Sequence, residues 1–291
     1  LAPFKTCSYD CVYCQLGRTT CKTTERKEYV PVAEILTELR QKLAAGPAPD
    51  FITLAGSGEP TLHSRIGELL QEIKRLTSIP VAVLTNGSLL WMREVQDALM
   101  KADLVLPSLD AGDERSFRQV NRPHPDIGWE KVVDGIAEFT ERFGKPVWLE
   151  VFLLAGVTGL TSEVRKIAAL AARIRPERVQ LNTVSRPPAE AFAQPVPAER
   201  MEVFAALFDG TAEVISEHGP NESQLLASPA VTDQDILALL RRRPCTAQGV
   251  SAGLGLHIAE ATKRLQSLTE RGHLSPVRRN NDVLYEVTET V

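Results

Sequence analysis

Long apolar runs are missing from this chain of 291 residues. Without one, a membrane-spanning helix is not expected, because a span takes about 20 consecutive apolar residues. A strong charge of one sign is missing too. The 33 lysines and arginines face 37 acidic residues, for a formal net charge of −4. That balance excludes the extreme basicity that announces a nucleic-acid coat. Cysteine is sparse and odd in number, at five, which argues against a disulfide framework. No secretory signal is seen, so a soluble cytoplasmic protein without a membrane partner is the expectation. The first residue is Leu1 rather than methionine. The chain therefore opens inside a loop, and the strand that should precede that loop is expected upstream of this numbering.

What is there is 43% hydrophobic residues. That content supports a sizeable core, and the length fits one large α/β domain or a medium domain plus a small one. The most informative feature is Cys7-x-x-x-Cys11-x-x-Cys14. Three thiolates at this spacing can hold three irons of a [4Fe–4S] cube and leave the fourth open, whereas a pure electron carrier normally has four ligands. Zinc is the competing metal, but its closed structural sites take four ligands. Cys21 could be that fourth ligand, although no second C-x-x-C pair accompanies it. Inert thiols are the third reading.

The segment Pro3-Phe4-Lys5-Thr6-Cys7-Ser8-Tyr9-Asp10-Cys11-Val12-Tyr13-Cys14-Gln15-Leu16-Gly17 resembles the radical S-adenosylmethionine (SAM) superfamily. Within it, the segment is similar to the Fe–S oxidoreductases related to the tRNA 4-demethylwyosine synthases. Tyr13 matches the aromatic of that superfamily's C-x-x-x-C-x-aromatic-C hallmark. The resemblance implies a [4Fe–4S] cluster and SAM as cofactors. It also implies reductive cleavage of SAM to a 5′-deoxyadenosyl radical that abstracts hydrogen, fed by an external electron donor such as flavodoxin or ferredoxin. The wyosine-type enzymes are expected to use a second cluster and a pyruvate-capturing lysine, and this chain lacks the extra cysteines.

Beyond the cysteines, apolar strands alternate with amphipathic helices. Strands are expected at 51–54, 81–84, 104–109, 147–153 and 179–182. Helical spacing links Ile66, Leu69, Leu70, Ile73 and Leu76, then residues 91–101, then Val132 to Phe143, then Val164 to Ile174. This alternation implies a parallel sheet or barrel. Periodicity leaves a doubly wound sheet open. The resemblance selects an α/β fold of the partial (β/α)6 TIM-like barrel type, plus a small domain. A helix near 199–208 and a short strand near 213–216 come after the barrel series. The expected division is a core over 1–217, a linker over 218–231 and a winged-helix-like domain over 232–291. That last part shows three helices and a hairpin around Asn280-Asn281-Asp282. It carries 8 basic against 7 acidic residues, so a nucleic acid, a peptide and mere packing all remain open for it.

In either architecture the chemistry belongs at the C-terminal ends of the strands, and the polar motifs sit there. Gly56-Ser57-Gly58-Glu59-Pro60 resembles the superfamily's G-G-E-P, implying that main-chain groups and Glu59 meet the methionyl ammonium of SAM. Thr85 and Asn86 resemble a second SAM-facing segment, and Val157 a late one that packs on adenine. Ser108 and Asp110 share one face of a strand and could bond the ribose or the methionyl carboxylate. Arg122 could meet an anion. Glu150, in an apolar strand, should point into the cavity or be paired. Asn182 and Arg186 could close the cavity, and with Arg122 and Glu150 they are the candidate substrate contacts. Cys245 is expected to be packing, and Cys21 a small buried hydrophobe, an auxiliary ligand or a hydrogen donor. The competing function class is an iron–sulfur transcriptional sensor acting through the winged helix.

Overall fold

A computed structural model describes residues 1–46, 48–215, 231–242, 244–279 and 282–288. The chain divides into two compact units, Leu1–Ser216 and Glu217–Val291. The linker expected over 218–231 lies, but for Val231, outside the described residues.

The first unit opens with two short parallel strands, β1 (Thr6–Cys7) and β2 (Cys21–Lys22). Helix α1 (Val32–Ala45) comes next. Alternating elements then follow: β3 (Ile52–Leu54), α2 (Ile66–Leu76), β4 (Val81–Thr85), α3 (Arg93–Leu99) and β5 (Leu104–Pro107). The second half has α4 (Glu114–Val120), α5 (Trp129–Phe143), β6 (Trp148–Leu153), α6 (Thr161–Ile174), β7 (Arg178–Thr183), α7 (Ala198–Ala205) and β8 (Ala212–Val214).

Strand order is strictly consecutive, β3-β4-β5 and β6-β7-β8. Parallel bridges Val105–Val147 and Ser108–Glu150 join β5 to β6. Consecutive parallel strands with right-handed crossovers put every helix on one face. A doubly wound sheet would reverse its order somewhere, and this one does not. The α/β class with a parallel, barrel-like sheet is therefore as expected. The short strand near 213–216 joins this sheet instead of standing outside it, because Ala212, Glu213 and Val214 pair with Val179, Gln180 and Leu181.

Burial follows the pleat. In β6, Leu149, Val151 and Leu153 are buried while Trp148, Glu150 and Phe152 are half-buried. In β7, Val179 and Leu181 are buried while Gln180 and Asn182 are not. The buried set packs with Leu69, Leu70 and Ile73 of α2, Ile136 and Phe139 of α5, and Val164 and Ile167 of α6. Each such side chain contributes about 1.5–3 kcal/mol. A closed barrel would fill its inner face with branched apolar residues. Here that face of β6 and β7 mixes the polar Glu150, Gln180 and Asn182 with Trp148 and Phe152.

The second unit has α8 (Asp233–Arg242), α9 (Ala247–Leu254), α10 (Ile258–Glu270), β9 (Leu274–Arg279) and β10 (Asp282–Val287). Thr246 caps α9 by accepting from Gly249 N at 3.0 Å. The two strands are antiparallel, with Leu284 opposite Val277. Asn280 and Asn281 of the expected turn lie outside the described residues. Cys245 bridges Tyr285 and is buried with Ile236, Val250, Leu265 and Leu268. No helix among the described residues is long and apolar enough to cross a membrane.

Candidate active site

The cysteine loop is fixed by backbone bonds before any ligand is considered. Thr23 N donates to Cys7 O, Cys14 N to Cys11 O, and Gly17 N to Cys14 O, at 3.0–3.1 Å. Asp10 N reaches Asn121 O, and Val12 N reaches Val120 O at 2.9 Å, tying the loop to the end of α4. The segment after β3 braces it from the other side. Lys5 N donates to Ser57 O at 2.7 Å and Glu59 N to Thr6 O at 3.2 Å. Gly58 is required by this crossing, because a Cβ there would stand 1.9 Å from Thr6 O. Gly56 has no such constraint, since its Cβ would find nothing closer than 3.8 Å.

Glu59 is the keystone of the brace. Its Oε1 accepts from Thr61 N, Thr61 Oγ1 and Thr85 Oγ1, and its Oε2 from Asn86 N, at 2.6–2.9 Å. Burial pushes its pKa up, and these donors pull it back. Asn86 passes the constraint on, donating to Ser8 Oγ at 2.9 Å and to Cys7 Sγ at 3.5 Å. Asp110 plays a similar part after β5. It accepts from Asn121 Nδ2 at 2.6 Å, from Phe152 N at 3.0 Å and from the Tyr13 hydroxyl. The Tyr13 ring stacks on Phe152, with centroids 4.0 Å apart. Val157 is half-buried against the patch made by Val12, Val120, Leu154 and Ala193.

Each cysteine sulfur thus meets one nitrogen from a different place: Asn86 at Cys7, Asn121 at Cys11 (3.5 Å) and Lys5 at Cys14 (3.1 Å). Burial raises the Cys7 thiol to about 11 and pushes the Cys11 thiol up as well. Cys21 sits on β2 in register with Thr6 and is exposed.

Across the lumen the picture changes. Glu150 Oε2 accepts from Ser108 Oγ at 3.0 Å and Oε1 from Asn182 Nδ2 at 2.8 Å. Three successive strands, β5, β6 and β7, supply this arc. Burial, then the charge of Asp110, pushes the Glu150 carboxyl above its usual range. Arg122 lies apart from the arc. Its guanidinium pairs with Glu190 at 2.6 Å, and Arg18 meets the same carboxylate at 2.7 Å. Arg186 donates to Gln15 at 3.0 Å. These contacts, with Glu190 N on Val12 O, strap residues 186–195 over the cysteine loop.

A cluster fits this cradle on two observations. Among the described residues the buried Tyr9 hydroxyl has no hydrogen-bond partner, and the charges that act on it come from Cys11, Asp110, Glu59 and Cys7. A ligand among the thiols would relieve that orphan. Second, the nitrogen donors at the sulfurs are the kind of contact that stabilises and tunes a thiolate-bound cluster.

The family model of the Radical SAM superfamily matches residues 1–171. The chain is 36% identical over 286 residues to the GTPase Obg of Brachyspira hyodysenteriae, covering 98% of itself but 42% of that protein. It is 33% identical over 249 residues to the UPF0026 protein of Helicobacter pylori, covering 84% of itself and 78% of that protein. Among solved structures, Streptococcus suis SuiB bound to S-adenosylmethionine is similar in fold. Its TM-score is 0.55 at 17% identity, over 75% of this chain and 50% of that one. The chain belongs to the Radical SAM superfamily. Members of that superfamily use a [4Fe–4S] cluster and SAM, and the chain spans less than half the length of the Obg protein that it matches.

Sequence reasoning missed Lys5, Tyr9, Asn121 and Glu190 as parts of the site. Lys5 and Tyr9 lay inside the quoted motif, where the spacing of cysteines drew all attention. Asn121 and Glu190 are brought to the loop by tertiary folding across more than 100 residues, and no local signal marks them.

Proposed function

We propose that this protein cleaves SAM reductively and uses the product to abstract a hydrogen atom from a substrate. Cys7, Cys11 and Cys14 would hold the cluster, which when bound would supply the one-electron reducing chemistry that SAM cleavage and hydrogen abstraction need.

The chain's own residues divide the remaining work. Glu59 and Asp110 act as scaffold, since their oxygens are occupied by protein donors, and Thr85 joins them by donating its hydroxyl to Glu59. Gly58 and Asn86 hold the loop, and Gly56 leaves the backbone there open to a ligand. Ser108, Glu150 and Asn182 are the groups with unused capacity, and they bind the sugar or methionyl part of SAM or the substrate beside it. Tyr13, stacked on Phe152, and Val157 supply an apolar wall. Arg122 and Arg186 hold the strap over the loop.

An external low-potential carrier of the flavodoxin or ferredoxin type supplies the electron, in a reducing cytoplasm. The second unit has the element order of a winged helix: α8, the Cys245 bridge, α9, α10 and a hairpin. Its expected part is recruitment of a macromolecule, whether nucleic acid or peptide, through residues 232–291. The relation to the wyosine synthases extends to the initiator chemistry and not to their substrate.

The observation that carries this reading is the cradle itself: three sulfurs on one hydrogen-bonded loop, each met by its own nitrogen. The test is anaerobic reconstitution, iron and sulfide analysis, and detection of 5′-deoxyadenosine by mass spectrometry after dithionite and SAM. A fully loaded protein that releases no 5′-deoxyadenosine would end this reading.

A further inference from the structure

Lys5 is a buried cation, 4% exposed. Its ammonium donates to Cys14 Sγ at 3.1 Å, and no other side-chain partner of it is found among the described residues. A buried ammonium without an anion is costly, so such charges are paired or neutralised. The geometry supplies the anion through the sulfur. A thiol would be a poor partner, whereas a thiolate carrying part of a cluster's negative charge is a strong one.

The backbone makes the same point. Lys5 has φ 56°, in the left-handed region. Glycine would adopt it freely, and a residue with a side chain is strained there. The conformation is enforced by Lys5 N on Ser57 O and by Thr20 N and Cys21 N on Lys5 O. It aims the side chain inward. A lysine that only decorated the loop would extend into water.

We propose that Lys5 is the charge-balancing residue of the cluster, acting through Cys14 to favour the reduced state. This rests on the cluster assignment above. The step it assists is the arrival of one electron from the external carrier. No covalent bond forms or breaks in the protein. A positive charge beside a group that becomes more negative stabilises the product of reduction, and hydrogen bonding to cluster sulfurs acts in the same direction. Lys5 is therefore a positioning residue that sets how strong a reductant the enzyme requires.

The experiment is an EPR-monitored redox titration of the full-length, anaerobically reconstituted protein, with Lys5→Gln and Lys5→Arg beside it. Glutamine keeps an N–H donor on a side chain one atom shorter and removes the charge. Lys5→Gln is expected to hold the same iron and sulfide yet show a reduction constant at least tenfold smaller, about 59 mV for a one-electron couple. Lys5→Arg is expected to restore most of that loss. A loaded Lys5→Gln with an unshifted midpoint would overturn the proposal, as would an arginine variant that falls as far as the glutamine.

Should the glutamine variant fail to load, wild-type protein labelled with 15N at the lysine side chains gives a second reading. Pulsed EPR of its reduced cluster should show a 15N coupling, and an absent coupling refutes the contact. The two proposals fail separately. Wild type that titrates as expected but never cleaves SAM sinks the function alone. Wild type that cleaves SAM with an indifferent Lys5 sinks only this inference.

Discussion

Two glutamates at the mouth of the same barrel do different jobs. Glu59 is 2% exposed and takes four donors, two of them backbone N–H groups. Glu150 is half-buried and takes two, both from side chains. An ionised carboxylate has roughly four acceptor sites, so the first is saturated and the second is not. Burial pushes both pKa values up, so titration alone does not separate them. The donor list does. A carboxylate filled by main-chain donors fixes the course of the chain, while one met by neighbouring side chains on an open face keeps capacity for a ligand. The Glu59 brace lies on the β3–β4 side, and the binding arc shares the β5–β7 side with the Asp110 brace.

The largest expected effect comes from Gly58→Ala, which strikes the brace at its tightest point. The added Cβ meets a backbone oxygen, Thr6 O at 1.9 Å, and a backbone cannot swing aside as a side chain can. A loss of about 3 kcal/mol or more is expected, with iron content of the reconstituted protein falling in parallel. Urea unfolding and iron analysis read both. Wild-type stability and loading would mean that the brace does not hold the cysteine loop.

Glu59→Gln comes next. It keeps the shape but turns one acceptor into a donor, facing Thr61 N or Asn86 N in a buried site. An unmet buried N–H costs about 1–3 kcal/mol, so destabilisation of about 2–4 kcal/mol is expected in the same urea assay. A neutral result would make Glu59 resemble Glu150, and the contrast between the two halves would dissolve.

Much of this contrast was not legible in the sequence, and the reason is physical. The cysteine spacing is local, so Cys7, Cys11 and Cys14 stood out at once. Strand and helix periods are local as well, and the strands at 51–54, 81–84 and 147–153 fell where alternation and apolar runs put them. Helix α1 was readable but passed over, although Val32, Ile35, Leu36, Leu39 and Leu43 recur at helical spacing. The state of a carboxylate is another matter. Glu59 and Glu150 look alike as letters near strand ends. Two of the Glu59 donors lie on Thr61, two residues on, but the others come from 26 and 27 residues away, and those of Glu150 from 42 and 32. Only the fold decides which becomes saturated. Arg122 makes the same point, because the Glu190 that occupies it lies 68 residues on.

Glu150→Gln tests the open side. Glutamine can still accept from Ser108 or Asn182, so stability should move by less than about 1 kcal/mol. Formation of 5′-deoxyadenosine by fully loaded protein should drop at least tenfold, about 1.4 kcal/mol of binding or barrier. Unchanged turnover would remove Glu150 from the proposed binding arc. A stability loss equal to that of Glu59→Gln would make it a second brace.

The smallest effect belongs to a third carboxylate that is neither brace nor binder. Asp113 caps α4, accepting from Ser116 N at 2.9 Å, and its other oxygen meets Lys166 at 2.6 Å. The Lys166 ammonium, then the Ser116 N–H, draw its pKa down to about 2 from the ordinary 3.8. A carboxyl held below its unfolded value stabilises the fold above that unfolded value, and loses the contribution as pH falls through the folded one. Asp113→Asn keeps an oxygen for the cap and removes the charge. Because the pair is more than one-third exposed, solvent screens it, and Lys166 keeps Glu163 at 2.8 Å. The expected cost is therefore about 0.5 kcal/mol at pH 7, well under what so large a displacement would suggest for a buried pair. Denaturation of both proteins should show the gap intact above pH 4, narrowing at pH 3 and closed near pH 2. A gap that persists there would place the difference in the cap geometry and not in the ion pair.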